Sequence, residues 1–144
     1  MNLDALVEAK LISITFSGHN QAELAILDVT GKEWLILAEQ VDDLFIDEMR
    51  MQNLIDEIIF IESSTLLSDA MKKSIYCLMR GEASINIDFE WEPFKDKIKI
   101  IESGALSVLE IVPLYGAYIL LLAKKINILK IDQTKGVETF SDGR

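Results

Sequence analysis

The clearest pattern of hydrophobic and polar positions lies between Ser84 and Glu102. From Ser84 to Glu92, apolar residues at every second position alternate with polar or acidic ones, which is the period of a strand with one buried face. Pro93 has no backbone N–H and is expected to end that strand. Beyond it a second strand is predicted from the alternation of Lys95, Lys97 and Lys99 with Asp96, Ile98 and Ile100.

Alternation and turn residues predict further strands in the first forty residues. Leu11 to Ser17 alternates apolar and hydroxyl side chains and is followed by the turn sequence Gly18-His19-Asn20. Leu24 to Val29 and Trp34 to Glu39 are apolar runs of strand length, and Gly31 between them can adopt the positive φ of a hairpin loop. Asn2 to Lys10 fits either a short helix or an irregular lead-in.

The segment from Val41 to Ile61 fits two structures. Its apolar positions match helical spacing, but it also divides into strands at Leu44 to Arg50 and Leu54 to Ile61 around the turn Met51-Gln52-Asn53. The dense β-favouring run that ends at Ile61, and the tolerance of Asn for a left-handed turn conformation, favour two strands.

One main helix is predicted from Ser64 to Arg80. Ser63 or Ser64 can cap its start, and Gly81 follows its end. An apolar stripe at i, i+4, i+8 and i+11 should lie on the sheet; it consists of Leu67, Met71, Ile75 and Leu78.

The last third of the chain predicts two more strands. Ser103-Gly104 is a turn into Ala105 to Val112, and Pro113-Leu114-Tyr115-Gly116 is a turn into Ala117 to Ala123. A helix from Tyr115 to Lys130 is the alternative, and we favour a strand that ends near Lys124-Lys125. The expected fold is therefore α+β: a mainly antiparallel sheet with one helix packed on it. Residues 1–132 are expected to form a single globular domain and 133–144 a frayed tail.

The charge of the chain is unevenly distributed. Residues 1–70 hold 14 acidic and three basic residues, a balance of −11, whereas residues 71–144 hold 10 acidic and 11 basic ones, a balance of +1. Such a first half repels nucleic acid and anionic lipid and attracts a basic protein surface. The apolar run from Ile111 to Ala123 is shorter than the ~20 residues that span a bilayer. No membrane association is expected, and the single Cys77 and the missing secretory leader predict a cytoplasmic protein.

The residues with catalytic potential are sparse. His19 is the only histidine and Cys77 the only cysteine, which is too few for a typical zinc site and gives no motif for a nucleophile with its base. No phosphate-binding loop or EF-hand spacing is present. We therefore expect no enzyme activity and no cofactor; a hydrolase that uses a pair of carboxylates is an alternative, as is an adaptor subunit of an assembly.

The acidic residues between Gln40 and Ser68 are the best candidates for contact with a partner, because Arg50 is the only base there. This first acidic set consists of Asp42, Asp43, Asp47, Glu48, Asp56 and Glu57. A second acidic set lies on the polar face of the predicted strand that precedes Pro93; it consists of Asp88, Glu90 and Glu92. The second set has an alternative role, since opposite charges facing each other across two strands also stabilise a sheet.

In size, acidity and expected architecture the chain resembles the small immunity proteins that bacteria pair with polymorphic or contact-dependent toxins. The resemblance is one of general type and matches no motif residue by residue. It implies a cytoplasmic α+β protein that binds a basic, nuclease-like toxin domain and neutralises it.

Overall fold

The computed structural model describes residues 2–81, 86–132 and 136–139. Within them the chain forms a single 3₁₀ turn at Asp4–Leu6, seven strands and two α-helices. The strands are β1 (Lys10–Ser17), β2 (Gln21–Leu27), β3 (Glu33–Asp47), β4 (Leu54–Ile61), β5 (Ser107–Tyr115), β6 (Tyr118–Asp132) and β7 (Gly136–Thr139). The helices are α1 (Asp69–Arg80) and α2 (Glu92–Glu102), which lie between β4 and β5 in the sequence.

The strands form one antiparallel sheet in the order β3-β2-β1-β4-β5-β6-β7. β3 pairs with β2 along its first half and with β6 along nearly its whole length, so the sheet closes on itself. The weakest junction is between β1 and β4, which share only the pair Lys10 and Leu54. The α+β class and the mainly antiparallel sheet are thus confirmed, but two helices pack on the sheet where one was predicted.

Two apolar clusters lie on opposite faces of the sheet. Side chains on the inner face of the closed sheet pack against one another across the strands. Among them Leu24, Ile36 and Ile119 are fully buried. The outer face of β5 and β6 packs under α1 and α2 through Val108, Leu120 and other buried residues. Alternation along the strands separates the two faces, since neighbouring side chains on a strand point to opposite sides.

The ambiguous segment from Val41 to Ile61 forms strands, as predicted. The first is the second half of the long strand β3, which continues past a bulge between Val41 and Asp43. The second is β4. The predicted hairpin of β2 and β3 and the strand β1 are also confirmed, and Asn2 to Lys10 contains only the 3₁₀ turn before β1 begins.

The strands predicted on either side of Pro93 are wrong. Glu92 to Glu102 is the helix α2, where Pro93 occupies the first turn; its missing N–H has no intrahelical partner there in any case. Phe94, Ile98 and Ile101 are buried at helical spacing. Ser84 and Ile85 lie outside the described residues.

The segment from Asn86 to Trp91 is not a strand either, although its alternation has a structural cause. Its apolar side chains pack on the helical cluster while the polar ones face away. Phe89 and Trp91 contact the ring of Tyr76 edge-on at 6.3 and 6.0 Å. A segment that contains a turn and packs its apolar side chains on helices therefore shows the same period as a paired strand.

Three element ends also differ from prediction. β5 continues to Tyr115, so Pro113, Leu114 and Tyr115 of the predicted turn belong to the strand, and only Gly116 and Ala117 separate it from β6. The main helix begins at Asp69, because the Ser68 side chain caps it by accepting a hydrogen bond from the backbone N–H of Met71 at 3.1 Å. β6 continues to Asp132 instead of ending near Lys124-Lys125, because β3 pairs with it as far as Ile131. In the predicted tail, Gly136–Thr139 pairs with β6 as β7, and residues 133–135 and 140–144 lie outside the described part of the chain.

Candidate protein-binding surface

The first acidic set follows β3 and the start of β4 and does not gather into one site. Asp42 lies at the bulge of β3, where Lys97 of α2 pairs with it at 2.5 Å. Glu48 follows β3 and pairs with Arg50 at 2.9 Å. At ~3.3 Å per residue these two members of the set are about 20 Å apart. Each has its own cation, so neither is the best candidate for an open contact.

Four members of the first set remain exposed and form no ion pair with the described residues. Asp43 and Asp47 lie on the outer face of β3, since they pair with the outward Leu122 and Tyr118 of β6. Asp56 and Glu57 lie at the start of β4, where the register with β5 shifts. Asp47 and Glu57 are separated by three strand spacings of ~4.8 Å, or about 14 Å.

The second acidic set lies before α2 and in its first turn instead of on a strand. Lys95 lies 3.4 Å from both Glu90 and Glu92, and its hydrogen bonds to Glu90 and then Glu92 raise the pKa of the Lys95 ammonium. Asp88 accepts a hydrogen bond from the backbone N–H of Glu90 at 3.0 Å, which fixes the turn. Most members of this set are therefore engaged in contacts at the start of α2. The prediction that these acids face the lysines across two strands is wrong, since neither strand forms among the described residues.

Sequence reasoning missed the surface formed by two turns at one end of the sheet. Asn53, in the β3–β4 turn and only 5% exposed, accepts hydrogen bonds through Oδ1 from the backbone N–H groups of Arg50 at 3.0 Å and Ala117 at 2.9 Å. Its Nδ2 donates to the Arg50 carbonyl at 2.7 Å. Gly116, with φ of +90°, lies against Asn53 where no Cβ would fit. One buried amide thus joins the β3–β4 turn to the β5–β6 turn.

The β3–β4 turn and the end of β5, next to the β5–β6 turn, expose large apolar side chains. Met51 is 99% exposed, Leu114 57% and Tyr115 53%, and Met49 is exposed beside them. The Arg50 guanidinium lies 5.6 Å from the centre of the Tyr115 ring, within cation–π range. We call this the double-turn surface, with Met49, Arg50, Met51, Leu114 and Tyr115 at its centre. Asp47, Glu48, Asp56 and Glu57 flank these turns in sequence and register and form its acidic rim.

The composition of the double-turn surface matches that of protein interfaces. Met, Arg and aromatic residues are enriched in the centres of interfaces, and charged residues concentrate at their rims. A sequence signal for it did exist, because Met51, Leu114 and Tyr115 lie in predicted turns, where polar residues are the rule.

The potentially reactive residues are dispersed among separate clefts. His19, with φ of +66°, lines a cleft of about 350 Å³ with Phe16 and Leu44 at the β1–β2 turn. Cys77 lines a different, apolar cleft of about 410 Å³ between α1 and the outer sheet face. Across residues 2–81, 86–132 and 136–139, no three His, Cys, Asp or Glu residues are grouped to hold a metal ion.

The cleft beside Cys77 has a buried pair of titratable groups next to it. Glu110 is 7% exposed and accepts a hydrogen bond from the hydroxyl of Tyr118, which lines the cleft. Burial first, and the bond to Glu110 second, raise the pKa of Tyr118 well above its usual range. The hydroxyl of Tyr118 thus gives the buried Glu110 carboxyl a hydrogen-bond partner under α1.

Comparison with known protein families, with curated proteins and with solved structures finds no match to this chain. In the described part of the chain, neither α-helix combines the length and the apolar character that crossing a membrane requires.

Proposed function

We propose that this protein is a non-catalytic binding protein of the immunity type, which captures a basic protein domain, such as a nuclease-like toxin, and blocks it. The double-turn surface carries the proposal, because it presents exposed Met and Tyr side chains with a rim of carboxylates. Apolar anchors of this kind supply most of the binding energy in interfaces. The rim supplies electrostatic attraction that accelerates association with a basic partner.

The distribution of charge supports the same class of partner. Within the rim, Glu48 is paired with Arg50, whereas Asp47, Asp56 and Glu57 form no ion pair with described residues and remain exposed. Their charge is therefore available to a cation that arrives from outside. Nucleic acid and anionic membranes would meet repulsion at this surface.

The experiment is affinity capture from the native cell, followed by a neutralisation assay. The expected result is a basic toxin fragment whose lethality is suppressed by co-expression of this chain. Tyr115→Ala combined with Met51→Ser should weaken binding at least tenfold, mainly through faster dissociation. Val29→Ser is the matched control, since Val29 is 67% exposed on the separate β2–β3 turn, and it should leave affinity within twofold.

The rim is tested separately through association kinetics. Asp47→Lys should slow association and flatten its dependence on ionic strength, whereas Glu23→Lys, an equal charge change at an exposed position of β2, should do so much less. Recovery of no basic partner, together with unchanged toxin sensitivity after deletion of the chain, would refute the proposal. A non-toxic partner recovered at fixed stoichiometry would instead identify an adaptor.

A further inference from the structure

Among the described residues, one edge of β4 has no strand partner beyond its first residues. β4 pairs with β5 along one edge from Leu54 to Ile61. On the other edge, β1 pairs only at Leu54, and the N-terminal segment bonds only to Ile55, through Glu8 N–H at 2.7 Å and Ala9 C=O at 2.9 Å. From Glu57 to Ile61 this edge has no backbone partner among the described residues.

A groove runs along that unpaired edge. It has a volume of about 590 Å³ and is lined by every residue from Glu57 to Ser63. Its opposite wall is formed by Asn2, Leu3, Asp4 and Val7 around the 3₁₀ turn. The groove therefore follows the last five residues of β4, Glu57 to Ile61, for about 16 Å at ~3.3 Å per residue, and continues past the strand to Ser63. An extended segment of about five residues is the shape that fits such a space.

The groove is acidic as well as apolar. Asp4, Glu57 and Glu62 contribute carboxylates, and no Lys, Arg or His is among its lining residues. None of these three acids forms an ion pair with the described residues. Leu3, Ile58 and Phe60 are partly buried against the inner core and give the groove an apolar floor.

We propose that the groove binds a basic, extended segment of a protein partner as an additional strand on the free edge of β4. Unpaired N–H and C=O groups on a strand edge are a template for strand addition. Alternate side chains of the added strand would face the apolar floor, and the remaining positions would place Lys or Arg near the carboxylates. The proposal rests on the proposed function only in assigning the segment to a basic protein partner.

Charge argues for this occupant over others. A second copy of the chain would bring the same acidic edge to the groove, and three carboxylates repel nucleic acid and anionic lipid. A basic extended peptide matches both features of the groove. Its backbone can hydrogen-bond to the unpaired N–H and C=O groups of β4, and its cationic side chains can pair with the carboxylates.

The test uses the full chain and a synthetic probe, a seven-residue blocked peptide of alternating lysine and valine. Binding is followed by NMR of backbone amides and by amide hydrogen exchange. The expected result is chemical-shift change and slowed exchange centred on residues 57–61. A version N-methylated along one backbone edge should bind at least tenfold more weakly, because it cannot pair as a strand. A glutamate–valine peptide should not bind.

Two variants test the charges away from the double-turn surface. The double variant Asp4→Lys, Glu62→Lys should lower peptide affinity at least tenfold, whereas Glu23→Lys should change it by less than twofold. Equal binding of the N-methylated peptide, shifts centred on Met51 and Tyr115, or an equal effect of Glu23→Lys would each overturn strand addition.

The outcomes separate this inference from the proposed function. A captured toxin that binds the Asp4→Lys, Glu62→Lys variant with unchanged affinity, but fails to bind the Tyr115→Ala, Met51→Ser variant, would refute the groove and leave the proposed function standing. Peptide docking on β4 without recovery of any basic toxin would support the groove and refute the proposed function.

Discussion

Replacement of Asn53 by Ala is the most direct test of how the double-turn surface is built. The change removes three hydrogen bonds, two accepted from Arg50 and Ala117 and one donated to Arg50. A typical net contribution is about 1 kcal/mol for each bond. Ala117 is 2% exposed, so its N–H loses an acceptor that water does not readily replace. The expected loss in free energy of unfolding is about 3 kcal/mol.

The assay is urea denaturation followed by circular dichroism. With a slope of about 2 kcal/mol per molar urea, 3 kcal/mol corresponds to a midpoint about 1.5 M lower. Gln52→Ala is the matched control, because Gln52 is exposed in the same turn and exposed substitutions usually cost less than about 0.5 kcal/mol.

A second substitution at the same position separates the roles of the two side-chain atoms. Asn53→Asp keeps the acceptor for Arg50 and Ala117 but places an oxygen where Nδ2 now donates to the Arg50 carbonyl. It should therefore remain destabilised in spite of its nearly unchanged shape. The reasoning fails if Asn53→Ala lies within 0.5 kcal/mol of the wild type, or if Gln52→Ala is equally harmful.

Three further changes have defined outcomes. Gly116→Ala should lower the urea midpoint strongly, because φ is +90° and the new Cβ would lie 2.4 Å from Asn53 Oδ1. Burial has the largest single effect on the pKa of Asp28 and raises it, but its four hydrogen bonds together leave that pKa below the usual value. The stability that Asp28 contributes is therefore complete above about pH 5 and is lost as pH falls below about 4. Unfolding curves of the wild type and of Asp28→Asn should accordingly converge in acid. Tyr118→Phe should destabilise by about 1–3 kcal/mol because Glu110 loses its donor. In a pH titration followed by absorbance at 295 nm, the wild type should contain a tyrosine that stays un-ionised above pH 10, and this tyrosine should be missing in the variant.

Local sequence predicted the elements whose ends are marked by turn chemistry. The β2–β3 hairpin was predicted from Gly31 between two apolar runs. The structure shows in addition that the side chain of Asp28 holds the turn through several hydrogen bonds. Asp28 accepts hydrogen bonds from the N–H of Thr30 at 2.9 Å, the N–H of Lys32 at 3.0 Å and the indole N–H of Trp34 at 2.9 Å. Asx-type turns of this kind are local, so the sequence contains their signal.

The error around Pro93 arose because periodicity reports only which side of a segment is buried. Phe94, Ile98 and Ile101 have helical spacing, but the three lysines between them also alternate with other residues. Pro93 is compatible with a strand end and with the first turn of a helix. Neither pattern indicates whether a neighbouring strand exists to pair with, and here α1 provides the packing surface instead.

Only the acidic half of the candidate surface was predicted, and the apolar residues in the two predicted turns gave no indication that these turns meet. Asp47, Asp56 and Glu57 stand out by charge alone, whereas the apolar centre depends on the pairing of Leu54 with Tyr115, two residues distant in sequence. That register is a property of the closed sheet and has no local signal. The amide of Asn53 was recognised as suited to a turn, but its bond to Ala117 joins positions 64 residues apart.

Glu57 connects the two proposed contact regions, because it belongs to the rim of the double-turn surface and also lines the groove beside β4. A partner that inserts a basic strand along β4 would meet, beyond Glu57, the N-terminal segment that bonds to Ile55, so any contact with the double-turn surface would come from residues outside the added strand. Exposed apolar anchors determine mainly how slowly such a complex dissociates, whereas backbone pairing demands a partner segment free to extend. The two regions impose different requirements, an apolar contact at one end and an unpaired basic strand at the other. If both proposals hold, a protein that meets only one requirement gains only part of the interface, and the two proposed regions together would favour one basic partner over other basic proteins.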